Sequence, residues 1–196
     1  KLVKQILQTD FNSIIPSNIY LFDLVFPHQN NISVNLIRGD LGDPQQIKKL
    51  AIKRFDIIFH LAAIVSGEAE EDFSKGWQVN LFSMWHLLEA LKEEHINSSY
   101  KYVPKIIYTS SIAVFGPPYP KTISDEFLCA PQTSYGAQKA SAELLLSDFS
   151  RKGFVNGISL RLPTICVRPG SANKAASSFF SNIIREPLNN KTAYLP

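Results

Sequence analysis

Three apolar runs constrain this chain more than any other feature: DIIFHLAA at 56–63, KIIYTSS at 105–111 and GISLRLPTICV at 157–167. The first two are apolar on successive positions, the pattern of strands covered on both faces, and the third reads as one more strand. The segments between them have a helical period. GWQVNLFSMWHLLEALKEEH at 76–95 repeats apolar residues every three or four positions, and a further helix is expected from about 134 to 150, stopped by Lys152-Gly153. Upstream, NIYLFD at 18–23 and SVNLIRGD at 33–40 read as two strands, each ending in an aspartate, and Asp43-Pro44 signals the start of a helix over 43–52. KLVKQILQ at the start resembles the later turns of an amphipathic helix. ASSFFSNIIREPL looks helical up to Pro187, and the proline-rich stretch 112–134 reads as a loop long enough to be functional. Strand and helix alternating in this way predict an α/β fold, a doubly wound parallel sheet of Rossmann type with helices on both faces and right-handed crossovers.

Composition narrows the class. At 196 residues, with 45% hydrophobic and 19% charged side chains, the chain can bury one good-sized core and is not a disordered polymer. The formal charge of +3 comes from scattered lysines and arginines, so no nucleic-acid partner is expected. Cys129 and Cys166 lie far apart and outside any C-x-x-C pattern, which predicts buried free thiols in a reducing, cytoplasmic setting. The four histidines have no zinc-site spacing, so no metal is expected. No apolar run is long enough to cross a bilayer, so no membrane partner is expected either.

In a doubly wound sheet the ligand lies beyond the carboxyl ends of the strands. Asp23 ends its strand, and a carboxylate there accepts hydrogen bonds from both ribose hydroxyls of a nicotinamide dinucleotide; a turn-initiating aspartate is the plainer alternative. Asp40-Leu41 ends the next strand, bordering an adenine position. Ala62-Ala63 either let a flat cofactor approach the backbone or serve helix packing. His60 is expected in the core, and Asn80, inside an apolar helical face, is expected to fix a strand backbone or a water. Tyr135 and Lys139 stand four apart, so on a helix they share a face. A neighbouring ammonium favours the phenolate, and such a phenol trades protons with an alcohol, with Ser110 or Ser111 holding the substrate oxygen. The alternative is a packed tyrosine with a solvated lysine.

In order and spacing, IIYTSSIAVFG, then TSYGAQKASAELL, then ISLRLPTICVRPG resemble the extended short-chain dehydrogenase/reductases, the group that contains nucleotide-sugar epimerases and dehydratases. The resemblance implies NAD as cofactor, Tyr135 as catalytic acid/base, Lys139 as the residue that lowers its pKa and binds the nicotinamide ribose, and Ser111 on the substrate oxygen. It further implies that Asp23, Asp40, Leu41, Ala62, Ala63, Asn80, Ser110 and Pro163 line the NAD site. Three stretches are similar to the branch of this family that oxidises a sugar acid: LAAIVSGEAEEDF, SSIAVFG with Phe115 where epimerases usually carry tyrosine, and RLPTICVRPGSANKAASSFFSNIIREPL. They imply oxidation of the C2 hydroxyl of a four-carbon acid such as D-erythronate to the 2-keto acid. A nucleotide-sugar epimerase or dehydratase with tightly bound NAD is the alternative in the same fold, and a non-catalytic dinucleotide-binding regulator the alternative outside catalysis.

A carboxylate substrate needs a cation, which Arg168 or Arg185 is expected to supply, with Ser66 and Gly67 as further substrate contacts. The resemblance also implies a homodimer built on the helix after HLAA and on the Tyr-Lys helix. The family opens on a strand and a G-x-x-G-x-x-G loop, whereas this sequence begins inside the following helix and stops before the remaining substrate-binding segments. The expectation is an NAD-binding domain over 1–170, incomplete at its start, then the beginning of a smaller substrate-binding region over 171–196. A sheet without its first strand is expected to have a gap.

Overall fold

A computed structural model of the chain describes residues 2–8, 16–26, 34–170, 174–175 and 177–194. Helix α1 (Leu2–Gln8) is followed by strands β1 (Tyr20–Asp23) and β2 (Asn35–Arg38), which pair in parallel. The Asp43 side chain then accepts the backbone N–H groups of Gln45 and Gln46, and with Pro44 in the first turn this starts helix α2 (Pro44–Ala51) where the sequence predicts it. Strands β3 (Ile57–His60), β4 (Lys105–Ser111) and β5 (Asn156–Leu162) form a second parallel sheet in the order β3-β4-β5. Among the described residues the two sheets do not join.

The helical stretch between β3 and β4 is more broken than its period suggests. It comprises α3 (Ser66–Glu71), α4 (Phe73–Trp77), a π-helical turn over Gln78–Phe82, and α5 (Ser83–Asn97). Asp72 ends α3 and at once caps α4, accepting the Lys75 N–H at 3.0 Å. The π turn inserts residues beyond the α-helical repeat and so rotates the face that follows; Asn80 lies at its centre and is buried. Helix α6 (Ser134–Arg151) starts at Thr133, whose hydroxyl accepts the Gly136 N–H at 3.0 Å, and stops just before Lys152-Gly153 as expected. Helix α7 (Ser178–Leu188) takes Pro187 into its last turn rather than ending before it.

Met84, Leu87, Leu88 and Leu91 of α5, Ala142, Leu146 and Phe149 of α6, Ile47 and Ala51 of α2, and Ile106 and Tyr108 of β4 form one core cluster. The opposite side of the β3-β4-β5 sheet corrects the reading of strands buried on both faces. Ile57 and Phe59 of β3 and Ile158, Leu160 and Leu162 of β5 are exposed, and α1 buries no residue. Apolar character records what a face needs to bury, and among the described residues no helix lies there to bury it. A second correction concerns the thiols: Cys129 and Cys166 are free but exposed, because both lie in loops outside the strands and helices that build the core.

Candidate active site

Strand β4 presents its last two residues to opposite sides, as adjacent strand positions must. Ser110 is buried, and its hydroxyl has no partner among the described residues. Ser111 is partly open, in extended backbone, and its Oγ accepts the Ala113 N–H at 3.2 Å, which closes the short 3-10 turn Ile112–Val114. The same hydroxyl acts on the phenol of Tyr135 as a hydrogen-bonding neighbour. Thr133 and Glu70 together fix the start of α6: Glu70 of α3 accepts the Ser134 N–H at 2.6 Å and the Ser134 hydroxyl at 3.3 Å. A carboxylate on the first turn also suits the helix dipole. Tyr135 is thereby held half-buried at the rim.

One turn on, Lys139 turns inward and is 2% exposed. Its Nζ donates to the Thr109 carbonyl at 2.8 Å, lies 4.7 Å from the Tyr108 ring centroid, and sits 5.6 Å from that of Tyr135. The shared face of Tyr135 and Lys139 is therefore real, and the serine hydroxyl is within reach of the phenol. The electrostatics differ from the sequence expectation. Burial pushes the Tyr135 phenol above its ordinary value, and the groups that pull it back are Arg168 and the Ser111 hydroxyl. Burial also pulls the Lys139 ammonium down to about 8, against the opposing pull of Glu143. Desolvation acts on both members of the pair, discouraging the charged form of each. In this arrangement the phenol keeps its proton and the ammonium is the group closer to releasing one.

His60 lies in the core as expected, buried with its ring edge-on to Tyr108 at 5.6 Å; burial, then the charge of Lys139, lower it to about 4, so it is neutral at pH 7. Asn80 fixes backbone: its Oδ1 accepts the Ile64 N–H at 2.9 Å, holding the turn that carries Ala62 and Ala63. Both alanines are exposed just past the end of β3, and Pro163 is exposed just past the end of β5. Asp23 is exposed at the end of β1, with Oδ1 accepting the Val25 N–H at 3.4 Å. Asp40 is committed nearer home, its Oδ1 accepting the Gly42 N–H at 2.8 Å, and Leu41 packs against the core cluster.

The substrate-side residues separate. Ser66 opens α3, and the Gly67 N–H donates to the Lys174 carbonyl at 3.0 Å; a side chain at 67 would stand 2.1 Å from that oxygen. Gly67 thus seats the segment after β5, and its N–H is not offered to a ligand. Arg168 is the arginine whose charge reaches Tyr135. Its Nη2 donates to Ser177 Oγ at 3.0 Å and its Nε to the Ile165 carbonyl at 3.3 Å. Arg185 is paired with Glu186 at 2.5 Å and donates to Asn182 and, at 2.7 Å, to the Arg168 carbonyl. It braces the backbone of Arg168, and its own charge is already compensated.

Three participants escape the sequence reading. Glu70 reaches α6 across 64 residues, and no local pattern signals that. The bidentate pair of Arg161 with Glu143 ties β5 to α6. Gln138 bonds Asn80 from within the helix; its only signal is a polar residue in register with the buried stripe of Ala142, Leu146 and Phe149. Among the described residues no group of three or more His, Cys, Asp or Glu side chains could hold a metal, and no helix is long and apolar enough to cross a membrane.

The side chains present fit the nicotinamide half of NAD. Ala62 and Ala63 give a backbone free of bulk just past β3, Tyr135, Lys139 and Ser111 converge at the end of β4, and the Asp23 carboxylate is accessible at the end of β1 in the other sheet. Comparison with known proteins agrees. The chain matches the description "NAD dependent epimerase/dehydratase family" over residues 16–195. It is 45% identical over 191 residues to D-erythronate dehydrogenase of Cupriavidus necator, covering 97% of this chain and 57% of that protein. Identity to D-erythronate dehydrogenase of Haemophilus influenzae is 43% over 189 residues, covering 94% and 58%. The crystal structure of a nucleoside-diphosphate-sugar epimerase from Agrobacterium tumefaciens superposes with a TM-score of 0.81 at 52% identity, covering 90% of this chain and 52% of that one. The chain spans a little over half the length of these relatives. With the strand order, the Tyr-Lys-Ser cluster and these matches all in agreement, the chain belongs to the NAD dependent epimerase/dehydratase family.

Proposed function

We propose that the protein is an NAD-dependent dehydrogenase that oxidises the C2 hydroxyl of a small sugar acid such as D-erythronate to the 2-keto acid. The observation that carries this reading is the placement of Arg168: a guanidinium whose charge reaches the phenol of Tyr135 suits a substrate whose reacting hydroxyl lies next to a carboxylate. The identity to two D-erythronate dehydrogenases supports it. In this reading Ser111 holds the substrate oxygen, Tyr135 takes the hydroxyl proton, and Lys139, anchored on the Thr109 carbonyl, supplies the positive charge that makes the phenolate affordable. NAD, when bound, would supply the hydride acceptor. Burial pushes the phenol up and pulls the ammonium down, which sets the two further apart than the free groups and leaves both protonated at neutral pH. Asp23 takes the adenosine ribose, Ala62, Ala63, Asn80, Ser110 and Pro163 border the dinucleotide, and Arg185 serves by holding Arg168. Residues 1–170 then belong to the cofactor domain and 171–196 open the substrate region.

The assay is direct. Full-length protein given D-erythronate and NAD should produce NADH absorbance. Silence there, with turnover of UDP-sugars, would replace this reading with that of an epimerase or dehydratase. A Tyr135→Phe variant that retained the physiological activity would instead favour a non-catalytic regulator. A homodimer completes the proposal: Phe82, Trp85 and Leu144 are exposed on the π turn, α5 and α6, and a second copy would cover them. Sedimentation of Leu144→Glu should then show monomers where the parent sediments as a dimer. The two free thiols are in keeping with a cytosolic setting for this chemistry.

A further inference from the structure

A chain of buried amides joins the turn after β3 to the helix that carries the reacting phenol. The Ile64 N–H must meet an acceptor, so the oxygen of Asn80 faces it, at 2.9 Å. The Asn80 nitrogen then faces α6 and must meet an oxygen, which Gln138 Oε1 supplies at 2.7 Å. The orientation of both amides is therefore fixed from one end. Gln138 Nε2 is left pointing at α4, buried and without a partner among the described residues. Gly76 makes room for it: a β-carbon at 76 would stand 2.4 Å from Nε2. Gln138 is fully buried and Asn80 is 1% exposed, so neither amide can turn to water instead. The π turn places Asn80 in this chain, because an unbroken α-helix would carry residue 80 at a different angle.

We infer that Gln138 is a positioning residue that, through Asn80, sets the distance between the Ala62-Ala63-Ile64 turn and the Tyr135-Lys139 helix. The inference rests on the dehydrogenase reading above only in naming the ligand that feels this distance. The turn borders where the dinucleotide would lie, and Tyr135 and Lys139 stand on α6 one turn and one residue from Gln138. An amide carries the link because it bridges two elements and is directional. An apolar side chain of equal size would fill the space but cut the link to α6, leaving Asn80 tied only to Ile64, whose N–H it accepts at 2.9 Å and to whose carbonyl it donates at a longer 3.4 Å. Gly76 belongs to the same device, since any side chain there drives the Gln138 amide out of line.

The test uses full-length protein and two readouts, NADH binding followed by its fluorescence and the pH profile of kcat with D-erythronate. Gln138→Met, matched in volume, should weaken NADH binding by about tenfold, the loss of one buried hydrogen bond. The pH profile should keep its midpoint, because Lys139 retains the Thr109 carbonyl. Gly76→Ala removes no hydrogen-bonding group yet should reproduce the loss, and Gly76→Ala/Gln138→Met should bind no worse than either single variant. NADH affinity within twofold of the parent in folded Gln138→Met, or fully additive losses in the double variant, overturns the inference. If Gln138→Met fails to fold, Gly76→Ala decides alone: unchanged NADH affinity there rejects it. A parent that binds NADH but ignores D-erythronate defeats the substrate assignment and leaves this inference standing on the binding data.

Discussion

The two halves of α6 bury very different things. From Ser134 to Glu143 the helix encloses Gln138, Lys139 and Glu143, an amide and two groups that are charged in water. From Leu144 to Arg151 it encloses Leu146 and Phe149, plain hydrocarbon packed into the main cluster. Burying hydrocarbon stabilises the fold by roughly 25 cal/mol per Å2, whereas burying an ammonium costs free energy unless partners compensate it. Lys139 has one carbonyl and two aromatic rings for company, and its pKa falls accordingly. The second half holds the helix in place so that the first can keep a destabilising group buried beside Tyr135.

Substitutions along the helix can break this division. Tyr135→Phe should leave the melting temperature unchanged and reduce turnover by about three orders of magnitude, since positioned acid/base groups contribute ~10²–10⁴-fold; a loss below tenfold would remove Tyr135 from the chemistry. Lys139→Met should lower turnover by about two orders of magnitude and yet raise stability. The sign follows from the depressed folded-state pKa. Below about pH 8 the folded protein carries the cost of a buried charge, and between about 8 and 10.5 the unfolded chain binds more protons, so parental stability rises with pH. The variant should therefore be more stable by about 2–3 kcal/mol at pH 7, with the advantage fading toward pH 10.5; denaturant titrations across that range check this, and an advantage that grew with pH would contradict it. Leu146→Ala should cost about 3 kcal/mol of stability while kcat per folded molecule stays unchanged, which urea melts and active-site titration can separate. Thr133→Ala, at the seam between cap and catalytic turn, should cost about 1 kcal/mol. As a pH test of the intact pair, oxidation should accelerate from pH 7 toward 9, because the raised Tyr135 keeps its proton at neutrality; a rate already flat at pH 7 would contradict the raised phenol.

The backbone plan was largely legible because it depends on local pattern. Runs such as KIIYTSS and the Asp43-Pro44 cap fix strand and helix type within a few residues, and all the strand pairings among the described residues are parallel. The helix at 76–95 was legible as apolar period but not as three pieces, the end of α4, the π turn and α5, since the π turn at Asn80 shifts phase in a way that periodicity averages out. The open side of β3 and β5 was illegible for a different reason: Phe59 and Leu160 are as apolar as a covered residue, and nothing local says whether a helix arrives to cover them. In the site, Tyr135 and Lys139 could be named because four residues make a turn. Choosing Arg168 over Arg185 required seeing that Glu186 had already claimed the latter.

By itself the sequence determined which residues are candidates for chemistry and where strands and helices begin, because propensity, capping and spacing act over a few residues. Only the tertiary structure decided what those groups experience. The inward turn of Lys139 onto a carbonyl, the amide chain from Ile64 to Gln138 and the reach of Arg168 to Tyr135 all join residues distant in the chain. Burial, which raises one pKa and lowers the other, is a property of that assembled surrounding and is written in no single segment.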